Sequence, residues 1–424
     1  MKIPIVILFV CLMISINAIG QDIFEDYPSL QSARAGFVVF DLDKDTTLCN
    51  FRGKELFSPA SNTKLFTTAM ALENMPMGFR WETPVSLYGK LRNNGTFIGI
   101  MVIKSSGDPG FTSFASKTRV NPASAVIKLF DTCGIHTFKG DIWIDEAVHY
   151  AAHTPGDWLF DDLSKPWGAG VYALNFNDNV QYFMDDRDAR MIWDTVGVHE
   201  FTAVADTDPG CTLLNYLFDT LNKSDIRYIS KLPDVDFSLP LASDTVFSPH
   251  LPEIIKEINT ESRNMWAEAL LLESATQKDS TRNLAQSADS LSSFWRKRLN
   301  RKRIYFHDGS GLSPYNAVSP ETIVSLLCYV SESENASQFI NSLPAPGTGT
   351  LDDMEISLPD GFSIRMKSGS FTRVRCYSGY IIDREQNPVF AFSLMVNDFE
   401  GTHKDMKMTI AKFLETYFTS SRLL

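Results

Sequence analysis

The sequence predicts an α+β protein whose main domain is an antiparallel sheet, built from both ends of the chain and flanked by helices. Strand patterns occur near both termini, helical patterns precede the C-terminal strands, and the middle carries short alternating strands with many turn residues. The chain has 424 residues, 44% of them hydrophobic and 21% charged, enough for more than one hydrophobic core. We therefore expect a discontinuous domain at residues 21–83 and 249–424, interrupted by a β-rich inserted domain at residues 84–248.

The first twenty residues show the pattern of a signal peptide. Lys2 is followed by an apolar run at residues 3–16, and Ala18 and Gly20 are small residues at the positions expected before a cleavage site. We predict removal of residues 1–20 and export to the periplasm or cell envelope. An uncleaved membrane anchor is the alternative, although the run is shorter than the ~20 residues that a span needs.

A hairpin and a helix are predicted next. Residues 35–43 are typical of a strand, and residues 46–51 return as its partner after a charged turn. Apolar residues then recur with helical spacing from Ser61 to about Asn74, and Pro76 ends the pattern. Ser61 would lie in the first helical turn, where free backbone N–H groups and the helix dipole favour a developing negative charge.

Ser61 and Lys64 form the only Ser-x-x-Lys of the chain. Residues three apart on a helix share a face, so Lys64 could take the hydroxyl proton of Ser61. This requires that desolvation or another cation destabilises the lysine ammonium. Taken alone, the pattern also fits a helix cap beside a solvated lysine, because short motifs often occur by chance.

A second motif, Ser262-Arg263-Asn264, favours the catalytic interpretation. It would bring another hydroxyl and an amide to the far side of the nucleophile. There, Ser262 could relay a proton and Asn264 could hold a substrate amide. The predicted helix that contains this motif covers residues 252–273.

The third motif is Lys367-Ser368-Gly369, the only Lys-(Ser/Thr)-Gly of the chain. Alternating apolar residues before it suit an edge strand, and Gly369 would let a substrate backbone come close. Lys367, Ser368 and Ser370 could bind a terminal carboxylate. The remaining predicted strands lie at residues 362–368, 374–383 and 389–397, and the remaining helices at residues 281–300, 319–331 and 403–418.

Ser-x-x-Lys, Ser-x-Asn and Lys-(Ser/Thr)-Gly, in this order, are the signature set of penicillin-binding proteins and serine β-lactamases. From about residue 30 to its end, the chain resembles the class C penicillin-binding proteins, the serine-type D-alanyl-D-alanine carboxypeptidase/endopeptidase family. The supporting stretches are residues 57–64, 106–109, 139–145, 155–158, 173–179, 308–313, 349–351 and 378–380. Two departures are Lys-Ser-Gly in place of the usual Lys-Thr-Gly, and Phe160 where a second tryptophan is common.

The resemblance implies a β-lactamase/transpeptidase-like catalytic domain that acts on peptidoglycan stem peptides through an acyl-enzyme. The residues implied in catalysis are Ser61, Lys64, Ser262, Asn264 and Lys367, and those implied in substrate binding are Ser368, Gly369 and Ser370. Backbone N–H groups of Ser61 and Ser370 would form the oxyanion hole. β-Lactams are expected as covalent inhibitors, and neither a metal nor an organic cofactor is implied.

Composition excludes other classes of partner. The formal net charge of −12 leaves no basic surface for a nucleic acid, and no obligate protein partner is evident. His149 and His153 have a spacing that suits zinc on a helix, but Pro155 and the missing zincin pattern argue against a metal site. Five cysteines follow the leader, an odd number, so at least one is expected to be free or intermolecular.

Two alternatives to the peptidase remain open at this point. A β-lactamase would use the same constellation with faster deacylation, although the large insert disfavours it. A non-catalytic peptidoglycan-binding or β-lactam-sensing protein would not need the intact nucleophile and base. The sequence does not separate carboxypeptidase from endopeptidase activity.

Overall fold

The computed structural model describes residues 23–113, 121–146, 149–184, 190–192, 201–275 and 281–420. The predicted signal peptide at residues 1–20 lies outside the described residues. The chain divides into two compact units. The first comprises Met1–Met70, Ile255–Ser262 and Ala288–Leu424, and the second comprises Ala71–Ile254 and Arg263–Ser287.

Strands and helices are numbered along the chain. The strands are β1 Arg34–Asp41, β2 Thr46–Phe51, β3 Glu82–Leu91, β4 Thr96–Lys104, β5 Thr137–Asp145, β6 His149–Tyr150, β7 Val180–Met184, β8 Arg190–Ile192, β9 Phe201–Ala205, β10 Arg227–Ser230, β11 Ala242–Phe247, β12 Thr281–Arg282, β13 Ser363–Phe371, β14 Val374–Ile382 and β15 Pro388–Asn397. The helices are α1 Pro28–Ser32, α2 Thr63–Asn74, α3 Pro122–Cys133, α4 Pro209–Lys223, α5 Leu251–Glu261, α6 Asn264–Ser274, α7 Leu284–Arg298, α8 Pro320–Ser331, α9 Ala336–Ser342 and α10 His403–Thr419.

The first unit is organised by an antiparallel sheet in the order β13-β14-β15-β1-β2. Strand β1 pairs with β15 over its whole length, with Gly36 opposite Met395. Both strands are buried along almost all residues, as expected for central strands covered on both faces. The predicted sheet made from both chain ends is thereby confirmed, and β13, which carries the third motif, is an edge strand as predicted.

The C-terminal helix α10 contributes to the hydrophobic core of this unit. Thr402 caps it by accepting a hydrogen bond from the Asp405 backbone N–H. Met406, Ile410 and Phe413 follow at helical spacing and are buried in the same cluster as residues of β1, β14 and β15. Apolar spacing therefore fixes which face of α10 is buried.

The second unit has a mixed sheet in the order β10-β5-β4-β3-β11. β5 is parallel to both β4 and β10, whereas β3 is antiparallel to β4 and β11. Residues of α3 and α4 join this sheet in a second hydrophobic core. The short strands predicted near residues 96–103 and 140–144 correspond to β4 and β5.

The predicted continuous helix at residues 252–273 is wrong. Helix α5 ends at Glu261, α6 begins at Asn264, and Ser262 between them has a φ of 60°. A non-glycine residue with positive φ cannot continue a right-handed helix. The break was not predicted because neither glycine nor proline occurs there.

The two units and the predicted domains cover overlapping but different residues, so the predicted boundaries at residues 84 and 248 remain a prediction. Among the described helices, none has the length and apolar character needed to cross a membrane. The described cysteines are free thiols, namely Cys49, Cys133, Cys211, Cys328 and Cys376.

Candidate active site

Ser61 lies in a 3₁₀ turn, Ala60–Asn62, immediately before α2. Ala60 has a φ of 46°, a strained value for a residue with a side chain, and its carbonyl accepts a hydrogen bond from Thr63 Oγ1 at 2.9 Å. Ser61 therefore lies two residues before the first residue of the α-helix, Thr63, and not in the first α-helical turn as predicted.

Lys64 is buried directly beside this serine. Its Nζ donates to Ser61 Oγ at 3.0 Å and to the backbone carbonyl of Ser310 at 2.6 Å. The lysine side chain is inaccessible to solvent, whereas Ser61 is partly exposed. The distance between Lys64 Nζ and Ser61 Oγ is within the range that allows direct proton transfer between an amine and a hydroxyl.

Lys367 is the second buried cation of the first unit's site. Its Nζ donates to Ser262 Oγ at 3.0 Å and to the Ser368 carbonyl at 2.9 Å. Burial, and secondarily the positive charge of Lys64, hold the pKa of Lys367 well below the usual lysine value, while Glu261 acts in the opposite direction. Because like charges in one buried site repel each other, a proton on Lys64 makes protonation of Lys367 less favourable.

The edge strand β13 places the third motif against the turn that carries Ser61. A Cβ on Gly369 would lie 2.6 Å from the Pro59 carbonyl oxygen and 3.2 Å from the Ser61 backbone nitrogen. The glycine is thus required by the approach of the protein's own backbone, in addition to any role in admitting substrate. Ser368 Oγ donates to Thr350 Oγ1 at 2.7 Å, and Ser370 is exposed near the end of the strand.

Asn264 belongs to the second unit, where it is the first residue of α6. Its side-chain amide donates to the Trp167 carbonyl at 2.7 Å. The preceding Arg263 forms a partly buried ion pair with Asp178, which also accepts a hydrogen bond from Trp266 Nε1 at 2.7 Å. The start of α6 is therefore held by polar contacts within the second unit.

In the first unit, the structure brings together residues from all three motifs. These residues are Ser61, Lys64, Ser262, Lys367, Ser368, Gly369 and Ser370. Asn264 belongs to the second unit. A sequence model of the D-Ala-D-Ala carboxypeptidase 3 (S13) family matches residues 17–205 and 234–417. The chain belongs to this family.

Two curated relatives agree with the S13 assignment. The D-alanyl-D-alanine carboxypeptidase DacB of Haemophilus influenzae is 22% identical, with 91% of this chain and 90% of that protein aligned. The D-alanyl-D-alanine carboxypeptidase of Actinomadura sp. is 25% identical, with 89% of this chain and 80% of that protein aligned.

A solved structure supports the fold. The crystal structure of penicillin binding protein 4 (dacB) from Haemophilus influenzae superposes with a TM-score of 0.74 at 20% identity, covering 95% of this chain and 99% of that one. The predicted family, the transpeptidase-like fold and the assignment as a serine peptidase are confirmed.

Two functional neighbours in this S13 protein were missed by reasoning from the sequence. The Ser310 carbonyl contacts the proposed base, and Thr350 contacts the hydroxyl of Ser368. Both residues lie in stretches that carried the family resemblance, at residues 308–313 and 349–351. Their contacts are nonlocal, so spacing along the chain gave no signal for them.

Proposed function

We propose that this protein is an exported serine peptidase that cleaves D-Ala-D-Ala termini, cross-bridges of peptidoglycan, or both. An acyl-enzyme on Ser61 would be the intermediate, and β-lactams would form a stable version of it. The observation that carries the proposal is the buried Lys64 amine 3.0 Å from Ser61 Oγ. A fully buried lysine in contact with a serine hydroxyl is suited to act as a base, because burial disfavours its charged form.

Acylation begins when Ser61 attacks the carbonyl of the penultimate D-alanine. The neutral amine of Lys64 accepts the hydroxyl proton as the new C–O bond forms. Ser262 then relays this proton from the Lys64 ammonium to the leaving amine as the C–N bond breaks, and the hydrogen bond that Lys367 donates to Ser262 Oγ orients that hydroxyl. Water subsequently attacks the ester carbonyl and releases the shortened peptide, which regenerates Ser61.

The proposal also assigns the groups that would bind substrate. Lys367, Ser368 and Ser370 would hold the terminal carboxylate at the edge of the sheet, with Gly369 between them. Backbone N–H groups of Ser61 and Ser370 would receive the negative charge of the tetrahedral intermediate. Asn264 would hold a backbone amide of the substrate.

The proposal includes the organisation of the chain. Residues 1–20 would direct export and be removed, leaving the discontinuous catalytic domain of residues 21–83 and 249–424. Residues 84–248 would be the insert. The antiparallel pairing of Glu82 with Phe247 supports these boundaries, because it places both ends of the insert side by side.

Mass spectrometry of the purified protein with penicillin, followed over time, tests the proposal. A single adduct that persists for many minutes on a peptide containing Ser61 is the expected result. Rapid loss of the adduct with accumulating hydrolysed penicillin would instead indicate a β-lactamase. No adduct at all would leave only the non-catalytic binding or sensing role.

A further inference from the structure

A loop of residues 308–313, here named the Asp308 loop, contacts α2 at the position of the proposed base. The Ser310 carbonyl accepts the 2.6 Å hydrogen bond from Lys64 Nζ. One residue earlier, the Gly309 carbonyl accepts a 2.7 Å hydrogen bond from Thr67 Oγ1. Two consecutive carbonyls of one loop therefore fix the lysine and the residue three positions further along the same helix.

The next residue of the Asp308 loop contacts the strained turn that carries the nucleophile. Gly311 has a φ of 89°, and a Cβ at this position would collide with the carbonyl of Ala60. Only glycine allows this approach without a backbone shift. The loop thus touches both the residue before Ser61 and the lysine after it, and its conformation sets their relative positions.

Asp308 organises the loop from a buried position. One carboxylate oxygen accepts hydrogen bonds from the Gly311 N–H at 2.8 Å and from Asn316 Nδ2 at 2.6 Å. The other accepts from the Ser313 N–H at 2.6 Å and from Ser310 Oγ at 3.3 Å. Asp308 is 1% exposed. Short charge-assisted hydrogen bonds of this kind are among the strongest polar contacts in proteins.

We propose that Asp308 is a positioning residue for acylation, which acts through the Ser310 carbonyl to orient the Lys64 amine toward Ser61. This inference rests on the proposed function of Ser61 and Lys64. A neutral amine has two N–H donors and one lone pair. In the structure, Lys64 Nζ donates to the Ser310 carbonyl and to Ser61 Oγ. In the neutral amine, the hydrogen bond to Ser310 would keep Nζ beside Ser61, and the lone pair would replace the N–H that faces Ser61 Oγ.

The charges around Lys64 determine the sign of the expected effect. Lys367 is the other cation of the site, Glu261 interacts with that lysine, and Asp308 supplies the negative charge of the loop. Losing the Asp308 charge, and with it a well-placed Ser310 carbonyl, would disfavour the ammonium form of Lys64. Lys64 would then lose its proton at lower pH, but its amine would be less well oriented toward the Ser61 hydroxyl.

The test is the pH profile of acylation of the full-length mature protein by a fluorescent penicillin. Asp308→Asn should lower the second-order acylation rate constant about 100-fold, the effect of a misplacement near 1 Å. The ascending limb of the profile should move to lower pH. Asp41→Asn is the matched control, because Asp41 is another buried carboxylate of the first unit that holds a turn, through Lys44, outside the site. That control should leave the rate constant and the profile unchanged.

Exchanging the residue types at positions 308 and 316 tests whether the acylation rate can be restored. Asn316 also accepts a hydrogen bond from the His307 N–H at 2.7 Å, which an aspartate at position 316 can keep. The double variant Asp308→Asn with Asn316→Asp restores a negative charge and the side-chain hydrogen bond, and should recover part of the rate and of the limb position. Asp308→Glu, which keeps the charge but displaces the loop, replaces Asp308→Asn if that protein does not fold, and should also acylate more slowly.

Two outcomes would overturn the inference. The first is a wild-type acylation rate constant and pH profile in Asp308→Asn. If Asp308→Asn does not fold, the same result in Asp308→Glu has the same meaning. The second is a variant in which fewer protein molecules become labelled but those that do acylate with the wild-type pH profile. This result would indicate only a loss of folded protein. Failure of the wild-type protein to acylate would contradict the proposed function and is a distinct result.

Discussion

Lys367 on the edge strand β13 donates a hydrogen bond of 3.0 Å to Ser262, the residue with left-handed backbone conformation that follows α5. This contact joins the second and third motifs, which are separated by about a hundred residues of sequence. It also holds a second buried lysine in the site of Lys64, where burial and, secondarily, the charge of Lys64 lower the pKa of Lys367.

Removing the proposed nucleophile, the Ser61 hydroxyl, should abolish acylation by penicillin without unfolding the protein. We expect Ser61→Ala to show no covalent penicillin adduct by mass spectrometry, because the adduct requires the Ser61 hydroxyl. Its thermal unfolding midpoint should remain close to that of the wild-type protein, since Ser61 is partly exposed. Ser337→Ala, at an exposed serine of the same unit, should label normally. An adduct on the Ser61→Ala protein would mean that another residue is the nucleophile.

Lys367→Met should raise the free energy of unfolding at neutral pH while it impairs substrate binding. The native pKa of Lys367 is depressed by burial and by Lys64. Between that pKa and about 10.4, the unfolded state binds a proton that the native lysine has released, so wild-type stability rises with pH.

The measurement for this prediction is denaturant unfolding of both proteins across the pH range. The stability advantage of Lys367→Met should be largest below the native pKa of Lys367 and should shrink as the pH approaches about 10.4. Lys412→Met, which removes an exposed lysine of the same unit, should show no such pH-dependent gain. An advantage that grows with pH would have the wrong sign for a depressed pKa.

The same Lys367→Met variant should change the pH profile of acylation. Removing its positive charge relieves repulsion of the Lys64 ammonium, so the base loses its proton at higher pH. The ascending limb should therefore move to higher pH, in the direction opposite to that of Asp308→Asn. A neutral ester substrate is the appropriate probe, because it makes no carboxylate contact with position 367. A limb that stays in place would show that burial alone tunes Lys64.

Gly369→Ala should damage the nucleophile turn directly. The added methyl group would lie 2.6 Å from the Pro59 carbonyl, so that the strand or the turn must shift. We expect a loss of about 1–3 kcal/mol in stability and a fall in acylation of up to about 100-fold. Gly78→Ala is the control, because nothing lies within 4 Å of a Cβ there. Equal acylation by the two variants would contradict a role for the close approach.

Local sequence patterns predicted the strands and helices whose conformation depends on residues close along the chain. The strand pattern at residues 389–397 and the helix at residues 403–418 correspond closely to β15 and α10, since burial follows the spacing of apolar residues. The three motifs likewise identified both buried lysines.

The failures have a common physical cause. Ser262 interrupts a pattern that is helical on both sides, and its hydrogen bond with Lys367 comes from a distant strand. The Ser310 carbonyl reaches Lys64 from 246 positions away. Every residue has a backbone carbonyl, so a contact made through a carbonyl oxygen cannot be recognised from the residue type.

The pairing of β1 with β15 has a consequence for how the protein is made. β1 is synthesised long before β15, yet Gly36 faces Met395 in the finished sheet. Contacts so far apart in sequence slow folding, because a very long loop must close before the pairing contributes stability. Ser61 and Lys64 leave the ribosome well before Ser310 and Lys367. The site around Ser61 and Lys64 can therefore be completed only after Ser310 and Lys367 have been synthesised.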